Sequence, residues 1–156
     1  MAGTPSEQGS AERLPTEARP GAPEARCWIF DVDGCLVDSL TGTSLRPGAR
    51  RLLEYLSRRR CTVLLWSAGG APYAQSRAEA FDLAGLVTSC HAKCGRDASG
   101  SYETGHLPLG DARVVFVDDH PEDLSALLDV MPVSPYLSHD PYDRGLEAVL
   151  RRVSLD

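Results

Sequence analysis

Cys27-Trp28-Ile29-Phe30-Asp31-Val32-Asp33-Gly34-Cys35-Leu36-Val37-Asp38-Ser39 is an apolar run that ends abruptly in two carboxylates and a glycine. Trp28, Ile29 and Phe30 show no polar alternation, which predicts a strand buried on both faces. Residues two apart on an extended chain point to the same side, so Asp31 and Asp33 converge where the strand leaves the core. Gly34 then permits a sharp turn and a close approach of the backbone to a ligand. Two like charges this close repel unless a cation or a shared proton compensates them. A bound cation is the first functional expectation.

Outward from this stretch the pattern alternates. Residues 62–66, 86–90 and 113–117 read as further strands, and 132–137, with two prolines, as an edge strand. Pro47 suits a first helical turn, and Ala49, Leu52, Leu53 and Leu56 follow at helical spacing. A second helix is predicted from Ala71 or Pro72 to about Phe81. A third is predicted over 122–130 with Leu124, Leu127 and Leu128 inward. Asp143 is placed to cap a last helix carrying Leu146, Val149, Leu150 and Val153. Residues 93–111, with four glycines, read as an irregular loop or small hairpin. The expected fold is α/β: a three-layer, Rossmann-like parallel sheet of about five strands with helices on both faces and no cap domain.

The chain has 156 residues, 42% hydrophobic and 24% charged, enough for one domain with a real core. Residues 1–26 hold one large aliphatic residue after Met1, Leu14, and read as a disordered tail before a core over 27–156. The formal net charge of −6 argues against nonspecific nucleic-acid or anionic-membrane binding. The arginines from Arg58 to Arg60 fit a helix C-terminus, which favours cations. Five cysteines without a regular framework or a preceding secretory signal point to a reducing cytoplasm. Cys90, His91 and Cys94 lie close together but lack an obvious fourth zinc ligand, so buried thiols on a short strand are expected instead.

In open parallel sheets, ligands bind beyond the carboxyl ends of the strands. That rule sorts the polar residues: Asp31 and Asp33 follow one strand, Ser67-Ala68-Gly69-Gly70 a second, Asp118 and Asp119 another. Such carboxylates make a hard oxygen site suited to Mg²⁺, which also takes water and substrate phosphate. Ser67 and the amides at Gly69 and Gly70, before a helix N-terminus, can hold phosphate oxygens. Lys93, the only lysine beside fifteen arginines, is the compact point charge that suits a phosphate. An exposed loop lysine is the competing reading.

Asp31-Val32-Asp33-Gly34-Cys35-Leu36, Leu65-Trp66-Ser67-Ala68, Lys93, and Val117-Asp118-Asp119-His120-Pro121-Glu122-Asp123 resemble, in order, the four motifs of the haloacid dehalogenase-like phosphohydrolases. The resemblance runs from about residue 27 onward and implies Mg²⁺-dependent hydrolysis of a phosphomonoester through an aspartyl-phosphate. It implies Asp31 as nucleophile and Asp33 as acid and base. It implies a metal held by the Asp31 carboxylate, the Asp33 carbonyl and Asp119, with Asp118 or Asp123 supporting. Ser67, Ala68 and Gly69 would contact the phosphoryl group, and Lys93 would neutralise it. The short connections leave no room for an inserted cap, so the open site admits small or macromolecular phosphorylated substrates.

Two positions depart from or blur that pattern. Cys35 stands where the family carries threonine, which places a thiol beside the site and raises an expectation of oxidation sensitivity. Arg96 is close enough to Lys93 to substitute for it. A noncatalytic domain that uses the same pocket to bind metal or phosphate is the alternative function. A phosphoacceptor switch resembling response-regulator receivers fits poorly, since Asp-x-Asp comes first and the adjacent acidic pair comes late.

Overall fold

The computed structural model describes residues 26–155, so the expected tail lies outside the described residues but for Arg26. Among the described residues, five parallel strands form one sheet: β1 (Arg26–Asp31), β2 (Thr62–Ser67), β3 (Ser89–Ala92), β4 (Arg113–Asp118) and β5 (Val130–Pro132), in the order β3-β2-β1-β4-β5. Strand β1 is central, with Phe30 in register with Leu65 of β2 and Val117 of β4. Trp28, Ile29 and Phe30 are buried, as their unbroken apolar run predicts. The strand order reverses between β1 and β4, where an open α/β sheet presents its ligand crevice.

Helices α1 (Ala49–Arg58), α2 (Ala71–Ala80) and α3 (Gly145–Ser154) share one face of the sheet. Ala49, Leu52, Leu53 and Leu56 of α1, Ala74 and Ala78 of α2, and Leu146, Val149 and Val153 of α3 pack with Trp28, Phe30, Val63, Leu65, Val115 and Val117. Truncating any one of the three α1 leucines to alanine costs about 2–5 kcal/mol by the usual cavity penalty.

The parallel α/β architecture is as expected, but the cover of the second face differs. There Ile29, Leu64, Trp66 and Phe116 are sheltered by Leu107, Leu124 and flanking residues of irregular segments rather than by a helix. The helix expected over 122–130 is a single 3₁₀ turn at Pro121–Asp123. Leu124 goes inward in extended conformation, whereas Leu127 is 95% exposed. A turn closed by the Leu128 amide on the Ser125 carbonyl follows, and Val130 already belongs to β5. The connection from β4 to its parallel neighbour is spent on turns.

The edge strand is also earlier than expected. β5 ends at Pro132, and 133–137 instead crosses toward the loop after β1: the Tyr136 amide donates to the Gly34 carbonyl, and the Ser39 and Leu40 amides donate to the carbonyls of Tyr136 and Leu137. A small hairpin closes at the Arg96–Tyr102 bridge inside the glycine-rich stretch.

Candidate active site

Asp31 is the last residue of β1 and Asp118 the last of β4, so adjacent parallel strands deliver their terminal carboxylates to one crevice. Lys93 follows β3, and its amide donates to the Ser67 carbonyl at 2.9 Å, which ties it to the end of β2. From there Nζ donates to Asp31 Oδ1 at 3.0 Å and Asp118 Oδ2 at 2.9 Å. The Lys93 side chain is 6% exposed, with Nζ 5.2 Å from the ring centroids of both Trp66 and Tyr102. Burial works to lower the lysine's pKa, but the two carboxylates outweigh it and hold the ammonium above its ordinary value.

Asp119 stands beside this pair. Ligand-capable oxygens of Asp31, Asp118 and Asp119 lie within 4.8 Å of one another, all buried. Asp119 Oδ1 is a buried acceptor with no hydrogen-bond partner among the described residues. Gly34, at φ +78°, passes so close that a Cβ there would stand 2.3 Å from Asp119 Oδ2. Burial pushes Asp31 well above the usual carboxylate range; Lys93 pulls it down and Asp118 adds to the rise. Ionised together, three carboxylates against one ammonium would leave two negative charges to balance. A hard divalent cation fits both that charge and the unpartnered oxygen.

Asp33 lines the same cavity, of about 320 Å³, although its carboxylate is not part of the acidic cluster. Its Oδ1 accepts the Tyr73 hydroxyl at 2.5 Å. Burial first, then this bond to a carboxylate, pushes the phenol up to about 12, so it stays a donor. Ala68, Lys93, Tyr102, Asp119 and His120 also line the cavity, with Pro135 and Leu137 from the crossing segment.

In the Ser67 turn the Gly69 and Gly70 amides, expected to be free, are engaged. Ser67 Oγ accepts the Gly69 amide at 3.0 Å, and the Ser67 carbonyl accepts the Gly70 amide at 3.1 Å. Those two amides are engaged within the turn, which leaves Ala68 as its cavity-lining member.

Arg96 stays outside. It lies over Tyr102 and pairs with Asp123 at 3.2 Å, on the exposed rim. Asp118 supports the cluster through Lys93 and by accepting the His120 amide at 2.8 Å. His120, at the entry of the 3₁₀ turn, lies 2.9 Å from Glu122 and 3.5 Å from Asp119 and lines the cavity. Cys35 is wholly buried, and its thiol points to the Val117 carbonyl at 3.5 Å. Burial, then the neighbouring carboxylates, raises its pKa well above the ordinary thiol value, so the expected reactivity is not supported by its surroundings. No zinc-type Cys/His group forms among the described residues.

Three contributors escape sequence reasoning. Tyr73 is one, though an aromatic hydroxyl one turn into the helix after Ser67 was a usable signal. Tyr102 lay in a glycine-rich loop with nothing to single it out. Arg46, just before Pro47, carries no role in the sequence reading, yet its side chain is 0% exposed. It donates to Asp143 at 2.7 and 3.0 Å, to the Ser134 carbonyl at 2.7 Å, and to the Gly34 and Cys35 carbonyls at 3.3 and 3.4 Å. The guanidinium thereby anchors the loop that follows Asp31.

A family model described as NLI interacting factor-like phosphatase matches residues 26–154. No curated protein matches the chain significantly.

Proposed function

The chain belongs to the NLI interacting factor-like phosphatases, a HAD-like family, and from that footing we propose that it hydrolyses phosphomonoesters through an aspartyl-phosphate on Asp31 with Mg²⁺ as cofactor. The observation that carries this reading is Lys93 bridging Asp31 and Asp118 beside the unpartnered oxygen of Asp119. Phosphoryl transfer asks a protein mainly for positioning and charge neutralisation, and this crevice supports both.

Asp31 attacks phosphorus, and the bond from phosphorus to the ester oxygen breaks as the aspartyl bond forms. Asp33 gives its proton to the departing oxygen. Water then attacks the aspartyl-phosphate, Asp33 takes a proton from that water, and the aspartyl bond breaks to release phosphate and regenerate Asp31. Lys93 holds the Asp31 carboxylate in place and neutralises the entering phosphoryl oxygens, while Ala68 borders them. Asp31, Asp119 and the Asp33 carbonyl would hold Mg²⁺, with Asp118 behind them. When bound, the ion supplies positive charge to the phosphoryl oxygens and offsets the excess of carboxylates.

Among the described residues no folded domain is inserted beside the crevice: residues 32–48 form a loop, and residues 93–112, between β3 and β4, hold only the small hairpin that brings Tyr102 to the cavity. The open cavity suits a phosphoryl group carried on either a small molecule or a larger body.

The test is phosphate release from a panel holding a phosphopeptide, a sugar phosphate and a 5′-phosphorylated oligonucleotide, with Mg²⁺ and after chelation. Turnover of at least one ester, lost on chelation and in Asp31→Asn, is expected. Turnover that persists in Asp31→Asn would refute the covalent route. Binding of phosphate esters without any turnover would favour the recognition-only alternative.

A further inference from the structure

The Tyr73 hydroxyl that meets Asp33 is held from several sides. A Cβ on Gly69 would stand 2.7 Å from Tyr73 Cδ1, and one on Gly42 would stand 2.9 Å from the hydroxyl oxygen. Both positions are glycine, and the ring fills the space that side chains there would need. Arg77 lies over the ring at 5.7 Å and donates from Nη1 to the Gly42 carbonyl at 2.9 Å. The loop that carries Gly42 is itself fixed. Buried Asp38 accepts the amides of Thr41, Gly42, Thr43 and Ser44 and the hydroxyls of Thr41 and Ser44. The Gly42 loop and the Ser67 turn thus border the phenol that meets Asp33.

We propose that Tyr73 is the positioning residue that aims Asp33 at the leaving-group oxygen, an inference that rests on Asp33 being the proton donor of the first half-reaction. The phenol engages Oδ1, so the transferable proton is assigned to Oδ2. As the Asp31–phosphorus bond forms and the phosphorus–ester bond breaks, that proton passes to the ester oxygen, which departs with the bonding pair as an alcohol. In the second half-reaction a proton from the attacking water returns to Oδ2. Tyr73 keeps its own proton throughout; its part is to fix the carboxyl plane. Proton donation over a bond that is still breaking tolerates little misplacement, and an error on the order of 1 Å can cost about 100-fold.

Leaving groups separate this role from a structural one. A p-nitrophenolate departs without a proton, whereas a simple alkoxide needs one. The comparison uses kcat/KM, which reports the steps through departure of the alcohol, on p-nitrophenyl phosphate and 2-phenylethyl phosphate with Mg²⁺. Tyr73→Phe keeps the ring between Gly42 and Gly69 and removes only the hydroxyl; circular dichroism and Tm confirm the fold. The expected loss on the alkyl ester is roughly 10- to 100-fold, against about threefold or less on the aryl ester. Asp33→Asn should show the same bias more strongly. If Asp33→Asn discriminates between the esters and Tyr73→Phe does not, or Tyr73→Phe lowers both equally, the role assigned to Tyr73 is overturned while that of Asp33 stands. If Asp33→Asn treats both esters alike, the acid role of Asp33 fails first and the inference falls with it.

Discussion

Replacing Arg46 by methionine keeps an unbranched apolar stem of similar length and deletes the guanidinium. The structure says what is lost. Asp143 is left with the Gly145 amide at 3.0 Å in place of a two-pronged cation, and the carbonyls of Ser134, Gly34 and Cys35 lose a donor in a buried setting. Breaking a buried pair by removing one partner costs about 3–5 kcal/mol, and the partial exposure of Asp143 sets the expectation near the lower end, about 3 kcal/mol. For a folded unit of this size each kcal/mol moves Tm by roughly 3–5 °C, so a fall of about 10–15 °C is expected in a thermal melt. The pH dependence follows in sign. Burial works to raise the Asp143 pKa, but the Arg46 bonds and the Gly145 amide outweigh it and hold it below the ordinary value. A depressed carboxylate contributes stability that is fully present above its unfolded pKa, near 3.9, and lost as pH falls through the folded one. The gap in Tm between the wild-type chain and Arg46→Met should therefore be constant from about pH 5 to pH 8 and narrow below about pH 4. A gap under about 1 kcal/mol in urea melts, or one that stays undiminished down to pH 3, would refute the reasoning.

Four further outcomes are expected. Gly145→Ala would place a Cβ 2.4 Å from Arg46 Nη2 in a site where the guanidinium has nowhere to go, so it should lower Tm although alanine is the better helix former. Mg²⁺ at about 100 times its dissociation constant should stabilise the chain by about 2.7 kcal/mol, and Asp119→Asn should abolish most of that gain in a melt without substrate. Lys93→Ala should remove phosphate release by at least about 100-fold, whereas Arg96→Ala, out on the rim, should stay within about threefold; the reverse order would exclude Lys93 from the chemistry. Iodoacetamide on the native chain should modify exposed Cys94 well before Cys35, whose burial and raised pKa protect it, as read by peptide mass mapping.

The parts of this molecule that were legible in the sequence are those fixed by local pattern. Trp28-Ile29-Phe30 and the run ending at Ser67 could only be buried strands, and the leucines of α1 share one helical face. From parallel strands alone, Asp31, Asp118 and Ser67 had to gather at one edge. The leucine spacing near 124–128 imitated that same helical signal. It failed because the connection between β4 and β5 is taken up by a 3₁₀ turn and a second closed turn, which put Leu127 in water. The choice between Lys93 and Arg96 turns on one backbone bond, from the Lys93 amide to Ser67, that no spacing rule contains. Arg46 was hidden for a related reason: two of its partners, Asp143 and Ser134, lie 97 and 88 positions downstream, and a lone arginine before a proline looks solvated until they arrive.

That distance has a consequence for how the chain is made. A ribosome releases the Asp31 loop long before Ser134 and Asp143, so a nascent chain can lay down β1, α1 and β2 while Arg46 still has no counter-charge. The acidic crevice, which needs Asp118 and Asp119 at the end of β4 as well as Asp31, can therefore be completed only after β4 has been made.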